Sequence, residues 1–296
     1  MTGPSAPSPP SGPSGPSEPG PVGGPAPAAA NAGAPAGAGG PGGGTAVEPR
    51  TALHAPTGRS WRAFLQPLAI IAIGGLWMLY VENSDLDSIA ARVLAPDYVA
   101  QKTWEHIELA VVSTLLVLVI AIPLGVLLSR SWARPATPLV LAIANIGQSA
   151  PAIGVVVLLA VTFGIGFWTA IVALVAYGVL PALRNTLVGL QQVDPTLTDA
   201  GRGIGMSAAR VLARVELPLA TPVILAGIRT TLVLMVGTAS IASFISGGGL
   251  GDLITTGVST QRTPVLLTGC ILIALLALLI DWLGGMAARL LAPKGL

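Results

Sequence analysis

Residues 193–218 read VDPTLTDAGRGIGMSAARVLARVELP, the longest charged and turn-rich segment lying between strongly apolar runs in this 296-residue chain. Asp194 can cap a helix whose first position is Pro195, because its carboxylate accepts from orphan N–H groups and proline has none to lose there. Gly203 and Gly205 can supply the left-handed conformations that end such a helix in a tight turn. Ser207 then caps a second short helix. In it Val211, Leu212 and Val215 share one face, Arg210 and Arg214 lie four apart on another, and Pro218 stops it. The expectation is a compact helix–turn–helix outside the bilayer, held between two membrane spans.

On either side of this segment the chain is built for lipid. Hydrophobic residues make up 52% and charged residues 9%, far too little charge for a soluble enzyme of this length. The single cysteine, Cys270, lies in an apolar run, so an intrachain disulfide is impossible and a cysteine-based metal cluster is not expected. The net charge of +2 is too small to argue for nucleic acid. Residues 1–58 are nearly all Pro, Gly, Ser and Ala and cannot bury enough surface to offset ordering entropy, so they are expected to form a disordered tail. No apolar core with a cleavage site marks a secretory signal there.

Residues 59–296 are expected to be the membrane domain, an all-α bundle of six transmembrane helices over 61–81, 107–129, 136–163, 167–190, 220–246 and 264–290. Residues 82–105 form a polar stretch that Pro96 should break. With six spans, both termini and the loops 130–136 and 191–219 fall on one side. That side carries Arg50, Arg59, Arg62, Arg130, Arg134, Arg202, Arg210, Arg214, Arg289 and Lys294, whereas only Arg92, Lys102 and Arg262 fall on the other. The bias assigns the first side to the cytoplasm and the whole to a cell membrane.

Polar residues inside the spans are the next clues. Asn145, Gln148 and Ser149 share one face of the third span, with Gly147 and Pro151 loosening the backbone beside them. That face either lines a translocation path or bonds neighbouring helices together. Gly237, Ser240, Ser243 and Gly247 drift along one side of the fifth span, lining a path or permitting close packing. Asp281, in the sixth span, is a candidate partner for an arginine of a neighbouring helix, or alternatively a proton-relay acid. The turn at 246–252, SGGGLGD, reads either as a flexible gate or docking loop or as a plain connection.

The chain carries no machinery of its own for using ATP. Its only lysines, Lys102 and Lys294, lack the glycine-rich context of a phosphate-binding loop, and His54 and His106 are isolated, so no enzyme activity and no cofactor are expected. Energy must come from a partner or from an ion gradient.

Asp199-Ala200-Gly201, then Gly205, then Val215-Glu216-Leu217-Pro218 resemble in spacing the signature cytoplasmic loop of permease subunits of bacterial ABC importers. Asp199 stands where Glu is usual and Gly201 where a second Ala is usual. The resemblance implies the type I importer permease fold, with residues 194–218 as a coupling loop. Asp199, Ala200, Gly201, Gly205, Val215, Leu217 and Pro218 would meet the ATPase, and Asn145, Gln148, Ser149, Ser240 and Ser243 are the candidate path residues. The runs WEHIELAVVSTLLVLVIAIPLGVLLSR (104–130), LAIANIGQSAPAIG (141–154), AYGVLPALRNTLVGLQQVDPTL (176–197) and VELPLATPVILAGIRTTLVLMVGTASIASFISGGGLGDLI (215–254) resemble the branch that imports glycine betaine, carnitine, choline and related osmoprotectants. Implied partners are ABC ATPase subunits, a second permease copy or paralogue, an extracytoplasmic binding protein and membrane lipid. Two alternatives stay open: a secondary transporter driven by an ion gradient, and an ABC permease for another small solute such as an amino acid.

Overall fold

Residues 62–291 are described by a computed structural model in which every regular element among them is helical. The tail expected over 1–58, with Arg50, Arg59 and Lys294, lies outside the described residues.

Helix α1 (Arg62–Glu82) runs along the edge of the bundle and is largely exposed, as a lipid-facing helix should be. A short helix α2 (Ser88–Val93) follows, capped by Asp87, whose side chain accepts from the Ala90 N–H at 2.9 Å. Pro96 does not break the stretch after it; it opens α3 (Pro96–Leu128), so the second span is one 33-residue helix beginning well before position 107. A proline costs nothing in a first turn, where its missing N–H has no partner to lose.

The expected third span is two helices, α4 (Thr137–Ser149) and α5 (Ala152–Phe163), bent by 94°. Pro151 is the cause. Its ring forces the preceding residue out of the helical region, and Ala150 sits extended at φ −65°, ψ 144°. After α6 (Phe167–Gln191) the direction of the chain can be read from close approaches. A Cβ on Gly125 of α3 would come within 2.7 Å of Thr186, and one on Gly178 of α6 within 3.1 Å of Val117, so α3 and α6 run parallel. The chain must therefore return through α4 and α5 to the far end of the bundle, where Ala170 and Ile171 share a cluster with Leu109 and Ala110. The bent pair is thus a sixth crossing beside five helices that are each long and apolar enough to span a bilayer.

Two short helices, α7 (Pro195–Gly203) and α8 (Ala208–Val211), make the helix–turn–helix. From α8 the backbone passes through a π-helical turn, Leu212–Glu216, into α9 (Leu217–Ala239), then a 3₁₀ segment, Ser240–Ile245. Pro218 therefore does not stop the second short helix. Residues Ala208–Ile245 form a continuous 38-residue run, and the widened turn makes room for the proline ring where an α-helix would set it against the carbonyl four residues back.

The glycine-rich turn at 246–252 is a close-packed corner. Gly248 and Gly249 hold positive φ, and no side chain fits at Gly251 beside the Ser240 carbonyl and Ser243 Oγ. It leads into α10 (Gly251–Ser259), with Leu250 and Leu253 fully buried, and α11 (Thr263–Leu291) ends the described chain. Helix α11 lies antiparallel to α1: Gln66 Nε2 donates to the Leu278 carbonyl at 2.9 Å, and Trp77 Nε1 to Thr268 Oγ1 at 3.0 Å. The described chain thus begins and ends at the end of the bundle that carries α7 and α8. Because lipid is as apolar as leucine, such contacts hold by close fit and hydrogen bonding rather than by exclusion of water.

Candidate functional site

The helix–turn–helix is built from local signals. Asp194 Oδ1 accepts the Thr196 N–H at 2.8 Å, and the Thr196 side chain, followed by this backbone bond, holds the carboxyl below the usual aspartate range. At the far end of α7, Gly205 takes φ +86° while its N–H bonds the Arg202 carbonyl at 2.9 Å and Met206 N–H bonds that of Gly201 at 3.1 Å. Gly203 stays helical, so the left-handed turn rests on Gly205 alone rather than on both glycines. Ser207 Oγ then accepts the Arg210 N–H at 3.4 Å. The two limbs meet at Gly201, where a Cβ would stand 3.4 Å from Val211 and 3.8 Å from Val215. The position is snug enough for glycine and roomy enough for the usual alanine.

This arrangement leaves an apolar groove of about 500 Å³ lined by Leu197, Ala200, Gly201, Ile204, Val215 and Pro218, with Arg214 at its edge. Of the expected coupling residues, Ala200, Gly201, Val215 and Pro218 line it. Gly205 shapes its turn, Asp199 lies outside on the exposed face, and Leu217 is half-buried beside it. Asp199 and Arg202 approach to 3.6 Å, but both are so exposed that the pair holds little. The sequence reading missed Ile204. An isoleucine 77% exposed at the tip of a water-facing turn is an unusual apolar surface, and its signal was an aliphatic residue set between two turn glycines.

On the opposite side of the same element lies a polar cavity of about 540 Å³ whose lining includes Arg130, Trp132, Arg134, Arg202 and Glu216. Glu216, last residue of the π-helical turn, is buried, and both its oxygens accept from the Arg130 guanidinium at the end of α3. This pair spans 86 residues, and nothing local in the sequence announced it.

The candidate path residues fall in two groups. Asn145 and Ser149 are exposed and Gln148 half-buried on the last turns of α4, just before the 94° bend. Their side chains make no hydrogen bond to another helix among the described residues. Ser240 Oγ donates to the Gly237 carbonyl at 2.8 Å and Ser243 Oγ to that of Ser240 at 2.9 Å, so neither bridges helices. The expected stripe is divided: a Cβ on Gly237 would meet nothing within 4 Å, whereas Gly247 is packed against Ala242 and Ala170. The two groups are not brought together. Helix α4 packs on α6, and the serine segment packs against α5 and α10.

One charged pair lies deep in the bundle. Arg229 of α9 grips Asp281 of α11 through two bonds of 2.6 Å, Gln66 adds a third contact at 3.4 Å, and Gly284 and Gly285 leave room for the guanidinium. A carboxylate so held is not a free proton relay, which removes the feature that favoured an ion-gradient mechanism. At the other end of the bundle Lys102 bonds Glu105 and Asp252 at 2.8 Å each, Glu105 accepts the Gly249 N–H at 3.0 Å, and Arg262 clasps Asp87. The Arg262 guanidinium and the Ala90 N–H hold the Asp87 carboxyl below its usual range.

Residues 121–294 match the family described as "Binding-protein-dependent transport system inner membrane component". The chain is 42% identical over 195 residues to the "Choline transport system permease protein OpuBB" of Bacillus subtilis (strain 168), covering 66% of this chain and 89% of that one. It is 39% identical over 217 residues to the "Osmoprotectant import permease protein OsmW" of Salmonella typhimurium, covering 71% and 100%. Among solved structures it is similar to the inward-facing MetNI methionine ABC transporter, with a TM-score of 0.60 and 26% identity over 70% of this chain and 100% of that one.

Proposed function

Because the chain belongs to the family of binding-protein-dependent transport system inner membrane components, we propose that it forms the membrane path of an ABC importer for a quaternary ammonium osmoprotectant such as glycine betaine, choline or carnitine. The observation that carries this reading is the exposed helix–turn–helix with its apolar groove, joined without a break to a membrane span.

Residues 59–296 are the permease domain and 1–58 an extension to it. The arginine-rich end, with both termini and the helix–turn–helix, faces the cytoplasm across the cell membrane. There Asp199, Ala200, Gly201, Gly205, Val215, Leu217 and Pro218 form or support the surface that meets an ATPase subunit. Closure of the ATPase pair on ATP displaces α7 and α8, and the unbroken run from Ala208 carries the displacement into the bundle. A second permease, identical or paralogous, completes the path, and an extracytoplasmic binding protein delivers solute to the end formed by α2 and α10. Asn145, Gln148, Ser149, Ser240 and Ser243 line the route. A methylated ammonium has no N–H to donate, so amide and hydroxyl oxygens attract it weakly and let it leave. The chemistry of ATP stays with the partner.

The test is uptake of labelled choline into vesicles holding the complex with its ATPase and binding protein, competed by glycine betaine, carnitine and proline. The reading requires dependence on internal ATP and competition by the methylated ammonium compounds. Uptake that persists without ATP and collapses when ion gradients are dissipated refutes it.

A further inference from the structure

We infer that Arg130 and Glu216 are positioning residues that hand the movement of the helix–turn–helix to α3, an inference that rests on the transport reading above. Glu216 is the last residue of the π-helical turn that separates α8 from α9. Any tilt of α8 relative to the span must pass through that turn, because it is the only departure from α-helical geometry between Ala208 and Ala239. Glu216 is 6% exposed and both its oxygens are held by Arg130, so the turn cannot shift without moving or breaking this pair.

Arg130 is itself fixed. Ser129 Oγ accepts from its Nε at 3.1 Å and from Nη2 at 2.8 Å, which ties the guanidinium to the end of α3. The adjoining cavity of about 540 Å³ gives the side chains room to travel as a unit. A buried ion pair is a poor way to gain stability, since a well-packed apolar pair does as well; its particular use is to fix one group against another.

The other end of α3 shows where the movement would arrive. Roughly 37 Å along the helix from Arg130, Glu105 holds the Gly249 N–H, and Lys102 holds Asp252 at the start of α10. A single helix, continuous past the internal Pro123, thus connects the cytoplasmic element to the corner at the opposite face. Driving α3 through Arg130 moves that corner.

The complete complex is assayed with Glu216→Gln, which keeps shape and loses charge, with Arg130→Gln, and with the exchange Arg130→Glu/Glu216→Arg. ATP hydrolysis is read with and without choline-loaded binding protein. The expected result is that each single variant assembles and keeps its basal hydrolysis but loses about tenfold of the stimulation, within the range of couplings between distant sites. The exchange should restore part of it. Stimulation retained in both single variants overturns the inference. So does a parallel loss of assembly, basal hydrolysis and stimulation in all three, because that marks a purely structural pair. If the unaltered complex shows no stimulation, the transport reading fails instead.

Discussion

Replacing Gly205 separates the geometry of the turn from its chemistry. Gly205 holds φ +86° and a Cβ there would meet no atom within 4 Å, so a new side chain clashes with nothing outside its own residue. The whole cost is therefore backbone, about 1–2 kcal/mol for an ordinary L-residue forced into the left-handed region, and more for a β-branched one. A shift of that size lowers the share of molecules with the turn correctly formed about 5- to 30-fold relative to alternatives. Asparagine tolerates the conformation and should be nearly neutral. The expected order of ATP-driven uptake is thus Gly, then Gly205→Asn, then Gly205→Ala, then Gly205→Val, at equal amounts of inserted protein. Hydrolysis should fall less than uptake, since the ATPase is untouched. The measurement is the ratio of solute imported to ATP consumed, in vesicles, for the four proteins. If Gly205→Val and Gly205→Asn prove indistinguishable, the argument from the left-handed turn is wrong.

Three further outcomes are expected. Asp281→Asn or Arg229→Gln alone should cost roughly 3 kcal/mol, and the double variant less than either, because each single change strands a charge; thermal unfolding of the detergent-purified complex checks this. Asp87 has its pKa depressed by Arg262, so the clasp between α2 and the turn after α10 is fully present above the usual aspartate value of 3.8 and is lost as pH falls through the lower folded value. Hydrogen exchange at the Ala90 amide, followed from pH 6 downward, should stay slow until the pH falls below that value, and early release would contradict it. Gly125→Ala should destabilise more than Gly178→Ala by about 1–3 kcal/mol: the Cβ would meet the stiff Thr186 at 2.7 Å in the first case and chiefly the flexible tip of Met235 in the second. Equal melting temperatures would refute this.

Much of the architecture was legible because lipid imposes a simple rule on composition. Spans, the capping of α7 by Asp194 and of the next limb by Ser207, and the turn at Gly205 all follow from local residue chemistry. Proline was misread, since its effect depends on which turn of the helix it occupies. Pro96 opens a helix, Pro151 bends one by 94°, and Pro218 is absorbed by a widened turn, yet the three look alike in sequence. The groove was half-visible: its small residues carried the motif, while Ile204 did not. The Arg130–Glu216 contact could not be read, because α3 and α9 are brought side by side only by the packing of the whole bundle.

The clasp between Arg229 and Asp281 also constrains how the protein is made. The arginine enters the bilayer while its carboxylate partner is still being synthesised, 52 positions behind it. During that interval a lone guanidinium in hydrocarbon would slide back toward water, so α9 must wait in the shelter of the insertion machinery until α11 arrives. A chain truncated between the two residues should therefore be held there and then degraded, whereas one truncated just beyond Asp281 should, once released from the ribosome, partition into lipid as a closed pair of helices.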